Sequence, residues 1–434
     1  MKILIITANF APRGASSAIR PVNFVKYLKR QGHKVNVITY DTNTLTVFSP
    51  PDVSLSEKVP LEVEVKRVSP GPLRKWILRQ KAGSYEEKCK IKENAKNNLF
   101  LSLLIPDPHI DSILNFFREG VHQIKSFAPD VLLTFGYPFS IHIVGALLKR
   151  CYPKICWVAD YGDPWSGSPI SELPRPVWRK WIDYQLERVL LHLCDIVTVT
   201  TDATKELYLS LFPFLSSRIE VLPMGFDPED FENISPKPRP AAEEELVWFV
   251  HTGRLYSEAR DPKAFVNALS ILLQDDPNVR NKIKVYFVGE VEDSIKAYML
   301  TLPAKDVIKF IPWVPVRESI AWMKAADFLL LFGNRGGVQI PGKIYQYLGS
   351  GRPIFMIKLF EADPTVKITL STEDSIIVMN DEKQILKALR SVLSRHRVIS
   401  RLKGIGYDSP YAWSRITQKF SEIVQQFIKK EEPY

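Results

Sequence analysis

The sequence runs to 434 residues, too many for one typical hydrophobic core, and 45% hydrophobic against 24% charged residues excludes a disordered or fibrous chain. Lysine and arginine outnumber the acids 58 to 48, and the net charge of +10 admits a nucleotide, a nucleic acid or an anionic lipid surface as partner without choosing among them. Four cysteines with no C-x-x-C spacing exclude a disulfide framework and a zinc ribbon, and no run of about 18 apolar residues marks a membrane span.

Met1-Lys2 passes directly into a short buried strand, residues 3–7, without the apolar region of a signal peptide, so a reducing cytoplasm is the expected location. A loop over 8–17 and a helix from about 17 to 31 follow. Gly32 ends the helix and residues 35–39 form the next strand. In an open parallel sheet the loop after a first strand lies on the edge where ligands bind, which makes Arg13, Gly14, Ala15 and, one turn on, Arg20 candidates for contact with an acceptor or a phosphate. Pro12-Arg13-Gly14-Ala15-Ser16-Ser17 is not a G-x-G-x-x-G fingerprint, so dinucleotide binding gains little support.

Residues 66–105 interrupt the alternation with basic side chains among Leu73, Trp76, Ile77 and Leu78, a composition suited either to an anionic membrane surface or to a solvated insertion. Alternation resumes with a helix near 110–127, strand 131–135, helix 140–150, strand 155–159, helix 177–193 and strand 196–200. These apolar runs are those of parallel strands buried on both faces. One doubly wound domain is expected over 1–235.

The proline-dense stretch 235–240 reads as a linker. A second doubly wound domain follows over 241–405, with strands 246–251, 284–288, 307–310, 328–332 and 354–357 alternating with helices 262–273, 293–300 and 316–325, and a further helix opening at Lys343. A last amphipathic helix over 411–430 repeats Ile416, Phe420, Ile423, Val424 and Phe427 at helical spacing. The expected fold class is α/β, two doubly wound Rossmann-like domains facing a central cleft.

Three groups of residues carry candidate chemistry. In IPGKIYQYLGSGRPI, residues 340–354, a helix starts just after a glycine, so Gly342 allows close approach of an anion to the helix N-terminus while Lys343 adds a full charge. An ordinary helix start with a solvated lysine is the alternative. Gln346, one turn on, shares the face of Lys343 and lies within reach of a ribose hydroxyl. Gly253 and Arg254 follow the first strand of the second domain and Arg260 precedes its first helix, so two arginines share one strand-to-helix loop with the means to bind a diphosphate. Asp160 and Asp163 lie just beyond a buried strand of the first domain, where a carboxylate can meet a substrate hydroxyl. Asp163-Pro164 is equally good helix-entry chemistry. His33 and His251 read as structural.

The motifs NFAPRGASSAIRPVNFVKYLKRQGHKVNVIT, VADYGDPW, RIEVLPMGFDPEDF, HTGRLYSEARDP and IPGKIYQYLGSGRPI, in this order and spacing, resemble the retaining nucleotide-sugar glycosyltransferases of GT-B fold, family 4, in the subgroup that often builds polysaccharide chains. The resemblance implies a donor site in the second domain, with Arg254 and Arg260 or Lys343 on the diphosphate. It also implies an acceptor site in the first, where Gly14 approaches the donor phosphates and Asp160 lies near the transferred sugar. It implies a glycan or lipid-linked acceptor, no cofactor and no metal, since basic side chains and a helix dipole neutralise the leaving group. Nucleic acid is not an expected partner, and a peripheral position on the inner membrane face is. Where many members carry two glutamates seven residues apart, this chain has Val338 and Gln346. Met224 and Gly162 are further departures, standing where asparagine and, in some members, arginine occur. A sugar-nucleotide 2-epimerase and a non-catalytic sugar-nucleotide-binding relative are the alternatives.

Overall fold

The computed structural model describes residues 1–41, 51–73, 75, 104–167, 176–256, 260–334, 339–394 and 406–431. They form two compact units, Met1–Pro223 with Trp413–Tyr434, and Met224–Ala412.

The first unit holds seven strands: β1 (Lys2–Thr7), β2 (Lys34–Tyr40), β3 (Glu64–Val68), β4 (Val131–Gly136), β5 (Cys156–Tyr161), β6 (Ile196–Val199) and β7 (Ile219–Val221). Their order is β3-β2-β1-β4-β5-β6-β7 and every pairing is parallel. Among its described residues before Pro223, the helices of eight residues or more are α1 (Ser16–Arg30), α2 (Ile113–Phe127), α3 (Ser140–Cys151), α4 (Val177–Leu193) and α5 (Asp202–Leu211). The central strands are mostly apolar because helices cover both faces: Ile3 to Ile6 in β1 and Leu132, Leu133, Trp157 and Val158 in its neighbours are all fully buried.

The second unit repeats the plan with β8 (Val247–Thr252), β9 (Ile283–Val288), β10 (Ile308–Ile311), β11 (Phe328–Phe332), β12 (Ile354–Lys358) and β13 (Ile376–Met379), in the order β10-β9-β8-β11-β12-β13, again all parallel. Its helices of eight residues or more among the described residues are α6 (Lys263–Asp275), α7 (Asp293–Thr301), α8 (Val316–Ala325), α9 (Lys343–Ser350) and α10 (Glu382–Ser394).

The final helix, α11 (Trp413–Glu431), belongs to the first unit and packs along α1. Phe24 meets Trp413 and Phe420 edge-on at 6.1 and 5.6 Å, and the Gln31 amide donates to the Thr417 hydroxyl at 2.9 Å. The chain passes between units at Pro223 and Met224 rather than in the proline-dense stretch. Residues 235–240 lie inside the second unit, tied to it by the Lys237 N–H on the Ala321 carbonyl and the Arg239–Asp327 ion pair. Proline density there marks an extended segment packed on α8, not a free linker. Most of the basic stretch 66–105 lies outside the described residues.

In each sheet the strand order reverses once, between β1 and β4 and between β8 and β11. Ligands of doubly wound proteins bind outside the strand C-termini at such a switch point. The loops after β1, β4, β8 and β11 are therefore where function is to be sought.

Candidate functional site

In the first unit, the loop after β1 is tied across the switch point. Arg13 Nη1 donates to Asn9 Oδ1 at 2.6 Å, and Asn9 Nδ2 donates to the Tyr137 carbonyl beyond β4 at 3.2 Å. Gly14 and Ala15 lead into α1, whose N-cap is Ala15, with no side chain capping the first turn. Arg20 is turned inward. Its Nε and Nη2 form a bidentate pair with the Asp160 carboxylate at 2.9 and 2.7 Å, and Thr198 Oγ1 donates to the same carboxylate at 2.6 Å. Nη1 and Nη2 also donate to the carbonyls of Pro223 and Leu222. Asp160 is fully buried.

The sequence placed Asp160 at the strand end, open to a sugar. It lies one residue inside β5, and the pleat turns its side chain into the layer beneath α1, where three donors occupy its oxygens. Asp163 is exposed on the loop beyond. Among the described residues no helix begins at Pro164 and the next one starts at Val177, so Asp163 caps no helix there.

The second unit gathers its candidates more tightly. β8 ends in His251-Thr252-Gly253, and Gly253 has φ +134°, which strains any residue with a side chain. The Lys343 stem lies against it: a Cβ built on Gly253 would sit 3.6 Å from Lys343 Cγ and Cε and 3.8 Å from His251 Nε2. Lys343 Nζ donates to Gln346 Oε1 at 2.8 Å. Arg260 approaches from the loop before α6, its Nε on Asn334 Oδ1 at 2.9 Å, and Asn334 Nδ2 donates to the Gln339 carbonyl at 3.2 Å. Loops after β8 and β11 thus converge on the start of α9. Gly342 is the N-cap there, with no side-chain cap and open space where a Cβ would stand. Arg254 points elsewhere, to the surface, where its Nε lies 3.4 Å from Glu290 Oε2.

The electrostatics of this cluster are one-sided. Burial, and after it the neighbouring Arg260 guanidinium, pushes the Lys343 ammonium down to about 8. His251 is lowered to about 3, chiefly by burial, and remains a neutral imidazole. Its Nδ1 lies 2.9 Å from the Leu330 carbonyl, which can only accept, so Nδ1 carries the proton and Nε2 is a buried acceptor with no partner among the described residues. The Tyr347 hydroxyl accepts from the Thr252 N–H at 2.9 Å, locking α9 to the end of β8. Two cations, a helix N-terminus and no balancing carboxylate among these partners make a site for an anion.

The structure brings together Gly253, Arg260, Gly342, Lys343 and Gln346 and leaves Arg254 aside. Sequence reading passed over Asn334, Tyr347 and His251 as parts of this site. The signal for its strand edge was the parallel placement of glycines in HTG and FVG, where Thr252 pairs with Val288 and Gly253 and Gly289 both leave their strands at positive φ.

Two doubly wound parallel sheets of this kind define the class, the GT-B fold, and solved structures over nearly the whole chain share it. Sucrose-phosphate synthase from Thermosynechococcus elongatus matches with TM-score 0.64 and 14% identity, covering 99% of this chain and 100% of that one. The E. coli trehalose-6-phosphate protein bound with UDP-2-fluoro glucose matches with TM-score 0.59 and 12% identity over 99% and 96%. UDP-GlcNAc 2-epimerase from Methanocaldococcus jannaschii matches with TM-score 0.54 and 14% identity over 98% and 100%. At these identities the likeness establishes the fold. Within that fold, residues 19–230 match the model of Glycosyltransferase Family 4, and the family-4 resemblance of the sequence holds on that segment. No curated protein sequence matches the chain.

Proposed function

We propose that the protein is a glycosyltransferase that moves a sugar from a nucleoside-diphosphate donor to a glycan or lipid-linked acceptor with retention of configuration. The observation that carries this reading is the partly buried Lys343 ammonium beside Arg260 at the start of α9, where no side chain caps the helix. A donor diphosphate there accepts from Lys343, Arg260 and the first N–H groups of α9. These donors neutralise the charge that grows on the diphosphate as the sugar leaves, and no metal is required for that step. Attack by the acceptor on the face the diphosphate leaves needs no protein nucleophile. This agrees with Asp160 being held by Arg20 and Thr198, and we assign Asp160 to positioning that layer.

Lys343→Ala should abolish binding of nucleoside diphosphates and cut donor turnover by roughly 100-fold or more, the scale of losing one charged transition-state contact. Its far-ultraviolet circular dichroism should remain that of the parent. Near-normal turnover would rule out this site as the donor cradle. The epimerase among the structural neighbours supports one other reading. Incubation with a panel of nucleotide sugars, with and without glycan acceptors, separates the two. Transfer that depends on acceptor supports the proposal; epimerised or free sugar formed without acceptor overturns it.

A further inference from the structure

Helix α4 turns an inverted face to solvent. Val177 is 84% exposed, Trp178 49%, Trp181 64% and Val189 57%. Residues 177, 181, 188 and 192 follow one another at spacings of four, seven and four, which is one stripe of a helix, and 178 and 189 lie together along one side of it. Arg188 and His192 are exposed on the stripe itself, and Lys180 is exposed along its other side. Neither carboxylate of the helix reaches it. Asp183 is buried in an ion pair with Arg179 at 3.0 Å, and Glu187 is buried, accepting from the Tyr208 hydroxyl at 2.6 Å and the Ser166 N–H at 2.9 Å.

A helix face that meets only water ordinarily carries charges of both signs and few large apolar groups. This one has its acids inside and its indoles outside, with cations among them. Its complement is a shallow apolar layer under negative charge, the headgroup boundary of an anionic bilayer. Indole rings settle at that depth, lysine and arginine reach the lipid phosphates, and a net charge of +10 adds long-range attraction. An acidic protein groove lacks the extended apolar layer that four outward side chains over three turns require.

We infer that the outward face of α4 docks on an anionic lipid surface, with Trp178, Trp181, Val177 and Val189 inserted at headgroup level and Lys180 and Arg188 on the phosphates. This surface is separate from the basic stretch 66–105, and the inference does not depend on the donor-site reading.

Sedimentation of the full chain with vesicles tests it, using phosphatidylcholine alone and phosphatidylcholine mixed with phosphatidylglycerol. The protein should bind the mixed vesicles roughly tenfold better than the neutral ones. Trp178→Ala with Trp181→Ala should cost roughly tenfold in that binding, and Lys180→Glu with Arg188→Glu a similar factor that shrinks at high salt. Both double variants alter only exposed positions and should keep the parent's circular dichroism and melting temperature. A parent that fails to bind mixed vesicles overturns the inference. So does a tryptophan variant that is folded and binds as the parent does, or one that loses affinity for soluble glycans while its vesicle binding is unchanged. Should the tryptophan variant misfold, parent-like vesicle binding by the charge-reversed variant would overturn it as well.

Discussion

Lys343 bears a charge that its own fold does not compensate. The two influences acting on it, burial and Arg260, both favour loss of the proton, and among the described residues its hydrogen-bond partner is the neutral carbonyl oxygen of Gln346. That partner also fixes what Gln346 offers a ligand: with Oε1 occupied, the amide presents its N–H groups, a donor where a glutamate would accept. An arriving anion stabilises the ammonium, so the bound pKa lies above the free value of about 8 and binding takes up a proton between the two. Affinity is then greatest below the free value and falls as pH rises through it. His251, lowered to about 3, stays neutral across that range and adds no slope of its own. Calorimetric titration with a nucleoside diphosphate should show affinity dropping roughly tenfold between about pH 7 and pH 9. Lys343→Arg, charged throughout, should flatten the profile. A flat profile in the parent protein would mean that Lys343 does not face the bound phosphate.

At the scale of elements, the site rests on how β8 and β9 end. Gly253 and Gly289 leave adjacent strands at φ +134° and +130°, and a Cβ on Gly289 would collide with the Gly253 carbonyl oxygen. Gly342 differs, having φ −56° and open space around it, so its backbone does not require glycine, and in the proposed site its lack of a side chain leaves room for a ligand. Gly289→Ala should therefore cost about 1–3 kcal/mol in chemical denaturation and weaken nucleotide binding through Gly253, while Gly342→Ala should leave stability nearly unchanged and weaken binding alone. Equal stability losses in the two variants would contradict this division. The central strands were legible in the sequence because burial on both faces demands continuous apolar runs, as in Ile3 to Ile6 or Phe328 to Phe332. The edge strands β3, β7 and β13 were not. Glu64, Lys66 and Arg67 interrupt β3, β7 is three residues long, and β13 is only half buried, because edges are kept short and charged against unwanted pairing. The cluster around Lys343 could be read from a glycine before a helix and basic loops. Asp160 could not be placed, since one residue of strand register decides whether a side chain faces a ligand or a neighbouring helix.

The two units differ in how the chain builds them. The second is continuous, Met224–Ala412, whereas the first is closed only by Trp413–Tyr434, more than 180 residues downstream of Pro223. What α11 brings back is core. Trp413, Ile416, Phe420 and Val424 are each at most 1% exposed, His33 Nε2 lies 3.0 Å from the Ser421 hydroxyl, and the Lys419 ammonium donates to the Val221 carbonyl at 3.0 Å. Arg20 ties both passages of the chain to the first unit. It binds the carbonyls of Leu222 and Pro223 on the way out and lies 5.8 Å from the Trp413 ring on the way back. Four large buried side chains at about 2–3 kcal/mol each approach the whole stability of an ordinary domain, about 5–15 kcal/mol. A chain ending at Ala412 should therefore lose the first unit's fold and keep the second's. Limited proteolysis should degrade residues before Pro223 while leaving a resistant fragment from Met224 onward, and that fragment should still bind a nucleoside diphosphate through Lys343 and Arg260. Because the residues of the proposed donor site all lie in the continuous unit, retained binding with a collapsed first unit would separate donor recognition from the proposed transfer reaction. Survival of the first unit without α11 would instead show that the α1 face needs no cover to fold.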